Sequence, residues 1–265
     1  MNYENLHARD YIEGLASRGR YHFSTAQIRK ALGVSSPAAL NALNRLARQG
    51  LIASPAKSFY VIIPPEYKSL GCLPAEQFIP ALMKQRELSY YAGLLSAAQY
   101  YGAAHHRPQS FQVFTAKNRR PIECGKVRAV FIARKNIELV PVRSFNTPRG
   151  TLAVSSPEAT AIDLAGYPKH AGGLDQVATV LAELAESIDP ELLPEAAKTA
   201  PLPWAQRLGY LLGLVGASEI TGPLRAYVRE HVNVYTKLLA GNKQTSGRRD
   251  QDWKLHINAE VEPEL

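Results

Sequence analysis

The first fifty residues carry apolar side chains at helical spacing, interrupted by glycines. A first helix is predicted over about residues 5–17, and Gly19 ends it. Its apolar residues fall near one face: Leu6, Ala8, Ile12 and Leu15. Ser24 and Gln27 have the spacing of a capping box, which predicts a second, short helix running through Leu32 to Gly33.

A third helix is predicted from Ser36-Pro37, read as an N-cap followed by proline at the first helical position, to Gln49. At 100° per residue, its apolar side chains fall in one arc: Ala39, Leu40, Leu43, Leu46 and Ala47. The opposite side carries Asn41, Arg45 and Arg48. Arginine can pair with guanine and asparagine with adenine in the major groove of DNA, so this face has the chemistry of a recognition helix.

A β-prone hairpin follows the third helix. Residues 51–53 and 59–63 form its predicted strands, and Lys57 lies at the tip of the turn between them. Capped short helices, a basic outward helix and a hairpin, in that order, are typical of a winged helix-turn-helix whose second helix enters the groove. The same fold also serves in protein interaction, so a purely structural or protein-binding role stays open.

The rest of the chain predicts a larger α/β domain. Prolines and glycines near residues 64–73 indicate a linker, so we expect a DNA-binding domain at 1–65 and a second domain at 74–265. Helices are predicted over 75–85 and 89–102, and strands over 111–115, 127–133, 137–144 and 151–154, with a basic turn at 117–121. A capped helix over 155–165, four more helices, a short strand over 253–258 and a frayed end complete the prediction. The expected class is mixed α+β.

The net charge of +8 is unevenly distributed. Residues 1–65 carry eight Lys or Arg against three acids, and residues 105–149 carry ten against two. Residues 150–199 are acidic, with eight Asp or Glu against two Lys. Two basic segments suit a polyanionic partner, because each phosphate contact releases a counterion, although solvated basic surfaces are an equally simple explanation.

The candidate chemistry does not favour an enzyme. His105 and His106 are adjacent and have no further ligand at metal-binding spacing, and no phosphate loop or nucleophile elbow is present. Glu158 and Asp163 fall on different faces of one helix, where we expect a first-turn carboxylate and a structural acceptor. The two cysteines, Cys72 and Cys124, predict no disulfide. We expect no catalysis, no metal, no cofactor, no membrane segment and a cytoplasmic location.

The chain resembles the AbiEi antitoxins of type IV abortive-infection toxin–antitoxin systems. The resemblance rests on the N-terminal pattern described above and on four further stretches: residues 90–98 with Tyr101-Gly102, Pro141-Val142 with Gly150, Ser156 to Leu164, and Trp253 to Asn258. These are hydrophobic and small-residue motifs without a catalytic signature.

The resemblance implies a protein that represses its own operon by binding inverted repeats in double-stranded operator DNA. It also implies a C-terminal domain that counteracts a nucleotidyltransferase toxin without a stable complex. The positions that would read DNA are Ser35, Ser36, Asn41, Arg45, Arg48 and Lys57. For neutralisation, the candidates are Lys117, Arg119, Arg120 and Arg128. A nucleic-acid-processing enzyme and an effector-responsive repressor are the alternatives.

Overall fold

The N-terminal unit consists of three helices and a small antiparallel sheet. The computed structural model describes residues 7–103, 108–241 and 248–264. The unit contains α1 (Ala8–Ala16), β1 (His22–Ser24), α2 (Thr25–Leu32), α3 (Ser36–Arg48), β2 (Ile52–Ala56) and β3 (Phe59–Ile62). The three strands have the order β1-β3-β2. Phe23, Ile28 and Leu43 are buried between the helices and this sheet, so the predicted amphipathic faces form one core.

Local capping fixes the start and end of α2. Ser24 accepts a hydrogen bond from the Gln27 amide, and the Gln27 side chain accepts one from the Ser24 amide at 2.8 Å. Gly33 ends the helix in the left-handed conformation, with φ of 64°. The predicted capping box is therefore confirmed, whereas strand β1 just before it was not predicted.

A six-stranded mixed sheet forms the centre of the larger part. Its strands are β4 (Tyr90–Ala92), β5 (Phe111–Thr115), β6 (Arg119–Cys124), β7 (Val127–Ala133), β8 (Val142–Thr147) and β9 (Gly150–Ser155). They lie in the order β6-β7-β5-β4-β9-β8. The pairs β5/β7 and β4/β9 are parallel, and the other neighbouring pairs are antiparallel.

Helices cover both faces of this sheet. They are α4 (Ala75–Gln85), α5 (Leu94–Ala98), α6 (Pro157–Gly166), α7 (Leu174–Leu184), α8 (Leu193–Lys198), α9 (Leu202–Leu214) and α10 (Gly222–His231). A small second sheet, of order β10-β12-β11, follows them and comprises β10 (Thr236–Lys237), β11 (Arg249–Asp250) and β12 (Leu255–His256). The expected fold class, a mixed α/β chain with a helical N-terminal part, is confirmed.

Alternating side chains of the central sheet enter two different cores. On one face, Val113 and Phe131 pack with Phe78 of α4. On the other face, Phe114 and Ile132 join a larger core built from α6 to α10. Alternation along each strand sends neighbouring residues to opposite faces, which explains why both layers of helices can be supported by one sheet.

The prediction of one helix over residues 89–102 is wrong. Tyr90–Ala92 forms strand β4 in the middle of the sheet, and a helix begins only at Leu94. Gly93 lies between them in an extended conformation, and a Cβ at that position would come within 2.4 Å of the Phe114 ring. Small residues signalled close packing correctly, but the aromatic pair before them belongs to the sheet, as its β propensity allows.

Three other expectations also need correction. The basic turn expected at 117–121 is partly strand, because β6 already begins at Arg119. The strand expected over 137–144 begins instead at Val142, after a 3-10 helix over Ile137–Leu139. The C-terminal end is tied down rather than frayed, since the amides of Glu262 and Glu264 donate hydrogen bonds to side chains of α7.

The N-terminal unit packs directly against the larger part. Phe59 and Val61 of β3 share a core with residues of α4, β5 and β7. Arg149, in the turn between β8 and β9, lies 3.3 Å above the Tyr21 ring and donates a hydrogen bond to Gln77 at 2.9 Å. These contacts join the two parts through apolar burial and one clamping arginine.

The segment expected to be a linker is largely structured. It contains a 3-10 helix over Pro65–Tyr67, and Cys72 and Leu73 are buried. The thiols of Cys72 and Cys124 are unoxidised and hydrogen-bonded to each other, and this bond, together with burial, raises the pKa of Cys72. A domain boundary near residue 65 stays a prediction.

Candidate nucleic-acid interface

The N-terminus of α3 is capped one residue earlier than expected. Ser35, not Ser36, is the N-cap, and its hydroxyl accepts a hydrogen bond from the Ala38 amide. Ser36 is the first helical residue and accepts a bond of 3.0 Å from Arg29 of α2. Two consecutive serines offer two possible caps, which explains the one-residue error. The bond from Arg29 fixes the turn between α2 and α3.

The outward face of α3 carries the predicted polar side chains. Asn41, Arg45 and Arg48 are exposed. In the part of the chain that the structure describes, neither Arg45 nor Arg48 forms an ion pair. Two cations that lack a carboxylate partner remain available for an anionic surface. The face therefore has both the exposure and the charge that phosphate contact requires.

The inward face of α3 differs from the prediction at its edges. Ala39, Leu43 and Leu46 are buried, as expected. Leu40 is 47% exposed and Ala47 is also exposed, whereas Ala42 is buried in their place. The buried arc of α3 is therefore rotated toward Ala42 relative to the apolar pattern, so Leu40 and Ala47 border the polar face.

Lys57 lies at the tip of the hairpin formed by β2 and β3. A two-residue turn, Lys57-Ser58, joins the strands, and Ser58 adopts a positive φ of 60°. The Ser54 hydroxyl bonds to the carbonyls of Ala56 and Phe59 and so holds the irregular strand together. The exposed Lys57 is therefore presented on an ordered support.

A second cationic surface lies beside this hairpin. Strand β2 contacts β6, and a depression of about 400 Å³ lies between them. Three arginines line it: Arg86, Arg119 and Arg120. We call this depression the β6 groove. The Nε atom of Arg119 is buried and has no hydrogen-bond partner among the described residues, so the groove holds uncompensated positive charge. Arg86 was not singled out in the sequence, because it follows an ordinary amphipathic helix.

The four residues predicted for neutralisation do not lie together. Arg119 and Arg120 line the β6 groove, and the exposed Lys117 lies in the turn that precedes them. Arg128 lies at the far end of the β6–β7 pair, where its Nε is 3.5 Å from a Glu123 oxygen. The pairing partly compensates its charge, so Arg128 differs from the others in both place and environment.

A buried ion pair lies at the centre of the larger core. Arg134 Nε is 2.8 Å from an Asp163 oxygen, and the Tyr91 hydroxyl donates a bond of 2.7 Å to the same carboxylate. Arg134 also donates to the carbonyl and the hydroxyl of Thr199. Burial raises the pKa of Asp163 to about 6, despite the opposing effects of Arg134 and Tyr91. The network joins β4 and α6 to the residues that directly follow β7 and α8, and its partners are too distant in sequence for local spacing to reveal them.

Other predicted features have structural roles. Glu158 is buried in the first turn of α6 and accepts a hydrogen bond from the Asp189 amide at 3.0 Å. Within residues 7–103, 108–241 and 248–264, no three His, Cys, Asp or Glu side chains cluster as metal ligands. His105 and His106 lie outside the described residues. In the same ranges, no helix is long and apolar enough to cross a bilayer.

Comparisons with known proteins give this arrangement a family. Residues 91–214 match the model of the AbiEi antitoxin C-terminal domain. The chain carries an AbiEi antitoxin C-terminal domain. The matched segment of this AbiEi protein runs from β4 to α9 and includes the Arg134–Asp163 pair. It is accordingly an antitoxin of the type IV toxin–antitoxin class.

The fold of this AbiEi antitoxin is similar to that of a solved protein along almost its whole length. The crystal structure of the RV2827C protein from Mycobacterium tuberculosis matches with a TM-score of 0.68, covering 97% of this chain and 91% of that one. The two sequences are 19% identical, so the likeness concerns the fold alone. Among curated proteins, no sequence matches significantly.

Proposed function

We propose that this AbiEi antitoxin represses its own operon through a winged helix-turn-helix at residues 1–65. Helices α2 and α3 form the helix-turn-helix, and the β2–β3 hairpin forms the wing. The observation that carries the proposal is the outward face of α3, where Asn41, Arg45 and Arg48 are exposed and the arginines have no acidic partner among the described residues.

Each predicted DNA contact has a distinct role in this proposal. Asn41, Arg45 and Arg48 meet base edges and phosphates of an inverted repeat in the promoter. Ser35 and Ser36, at the start of α3, approach a phosphate where helix amides and the positive end of the helix dipole face outward. Lys57, at the wing tip, contacts the neighbouring backbone.

A gel-shift titration of the full chain on its own promoter tests the proposal. Replacing both Arg45 and Arg48 by Ala removes two charged contacts, and we expect affinity to fall about 100-fold or more. The slope of log K against log salt should also become shallower by about 2. The control is Arg225→Ala with Arg229→Ala, an arginine pair on α10 that faces Asp252. Unchanged affinity in the α3 variant contradicts the proposal.

We further propose that the second domain, residues 74–265, counteracts a nucleotidyltransferase toxin through the β6 groove. The arginines of that groove form the strongest candidate surface because Arg119 and Arg120 lack acidic partners among the described residues, whereas Arg128 is compensated by Glu123. Contact with the toxin is functional and needs no stable complex. A soluble, cytoplasmic protein without cofactor or catalytic activity fits this role.

Growth rescue on co-expression with the neighbouring nucleotidyltransferase gene tests the second proposal. Arg119→Ala with Arg120→Ala should reduce rescue at least about tenfold in surviving colonies, since each charged contact contributes roughly 1.5–3 kcal/mol. Promoter binding by the same variant should remain within about threefold of wild type. Arg128→Ala should have a smaller effect on rescue. Loss of promoter binding with rescue intact would assign the groove to DNA instead.

A further inference from the structure

The larger domain has a further pocket, formed by elements that belong to none of the surfaces described so far. It has a volume of about 400 Å³ and lies between the end of α6, helix α9 and the segment after β10. Tyr167, Leu238 and Leu239 contribute its apolar wall. Arg207 of α9 and the pair Lys169-His170, from a short 3-10 helix, contribute its polar groups. Its size is that of a small-molecule site.

Arg207 is buried without a counter-charge. Only 7% of it is exposed, and its Nε donates a hydrogen bond to the Lys237 carbonyl at 3.1 Å. Among the described residues, no carboxylate lies within ion-pair distance, and the two terminal nitrogens have no hydrogen-bond partner. Burial lowers the pKa of Arg207, and no nearby carboxylate opposes this shift.

The contrast with Arg134 shows what Arg207 lacks. Arg134 is equally inaccessible, yet it bonds to Asp163, Tyr91 and Thr199. Most of the Arg207 side chain is removed from water with one carbonyl partner, a desolvation cost that the protein offsets only in part, and its terminal nitrogens open onto the pocket. An anion in the pocket would offset it, and the planar guanidinium suits the paired oxygens of a phosphate.

We propose that this pocket binds a small organic phosphate. The phosphate oxygens accept hydrogen bonds from the terminal nitrogens of Arg207, and Lys169 and His170 add donors at the rim. The organic part lies against Tyr167 and Leu239, which are only partly buried and which inorganic phosphate alone would leave uncovered. The proposal is independent of the operator and toxin functions, because none of these residues belongs to α3, the hairpin or the β6 groove.

Calorimetric titration of the full chain tests the proposal. The probes are adenosine, guanosine, cytidine and uridine monophosphates, glucose 6-phosphate, the free nucleosides and inorganic phosphate. We expect at least one organic phosphate to bind at one site per chain, about tenfold or more tighter than its dephosphorylated form and than inorganic phosphate. Binding of none of the phosphates, or equal binding of inorganic phosphate, overturns the proposal. The signal should persist in the Arg45→Ala, Arg48→Ala variant, which excludes binding at α3.

Variants locate the site. Arg207→Met should weaken the organic phosphate about tenfold or more, and the melting temperature of the free protein should stay equal or rise, because a buried unpaired charge is removed. Arg229→Met, an exposed arginine on α10, is the matched control and should bind as wild type does. If Arg207→Met does not fold, Lys169→Ala with His170→Ala, both exposed, should still weaken binding. Wild-type affinity in either pocket variant overturns the assignment.

Discussion

Arginines on α3 and at the centre of the larger core are held in opposite environments. Arg45 and Arg48 are exposed and have no acidic partner among the described residues, whereas Arg134 is buried and bonded on nearly every side. The first arrangement costs little to fold and leaves charge for a partner. In the second arrangement, the guanidinium donates its hydrogen bonds to other residues of the core. Partners, rather than residue type, therefore separate a binding arginine from a structural one.

Replacing Arg134 gives the largest expected effect on stability. Arg134→Met leaves the Asp163 carboxylate buried without its cation, and we expect the free energy of unfolding to fall by about 3–5 kcal/mol. Urea denaturation followed by circular dichroism measures this. Arg45→Ala with Arg48→Ala should change the same quantity by less than about 0.5 kcal/mol. Equal losses in the two variants would remove the distinction.

A double replacement sharpens the same point. Arg134→Met with Asp163→Leu removes both charges, so part of the stability lost in Arg134→Met should return. Denaturation of the single and double variants side by side measures the difference. The double variant could instead be less stable than either single variant. That result would mean that the hydrogen bonds to Tyr91 and Thr199 contribute more to stability than the charge pair does.

The pH dependence of stability provides an intermediate effect. Burial raises the folded-state pKa of Asp163 to about 6, above its value near 3.8 in the unfolded chain. The folded protein therefore takes up this proton first, so the Asp163 contribution to stability grows as pH falls through 6 and is lost as pH rises through 6. Relative to Asp163→Asn, the wild type should gain stability between pH 7 and pH 4.5. A relative loss over that window contradicts the shift.

The smallest expected effect concerns the cap of α3. Ser35→Ala removes the hydroxyl that accepts the Ala38 amide, at a cost of about 1 kcal/mol in stability. Ser36→Ala is the matched comparison, because it removes only an exposed bond to Arg29 and should cost less. Thermal denaturation of the two variants measures the difference. If Ser36→Ala costs more, the cap lies one residue later, as the sequence indicated.

The local features of the chain could be predicted because neighbouring residues determine them. Ser24 and Gln27 define the start of α2, and the apolar pattern gives the limits of α4 correctly. The exposed face of α3 also follows from its helical period. In each case, the atoms that make the contact are only a few residues apart.

Long-range pairing explains what the sequence did not reveal. Strands β1 and β4 are short, and each is stabilised by partners far along the chain, such as Val154 beside Ala92. The sequence predicted that Asp163 is a structural acceptor, and this is confirmed, but no residue near it in the sequence identifies Arg134 as its partner. Arg207 lacks a counter-charge because of the elements that pack around it, so no local sequence motif could predict this.

The shared packing of the β3 hairpin and α4 has a practical consequence for anyone dissecting this antitoxin. In a fragment that ends after residue 65, Phe59 and Val61 would be exposed to water. The remaining fragment would lose the two side chains that cover part of its own core. The cut would also separate Tyr21 from Arg149, which contacts its ring. If either fragment is insoluble, the cause would be the divided core and not the loss of an activity. Point variants of the whole chain are therefore better suited to separating the two functions.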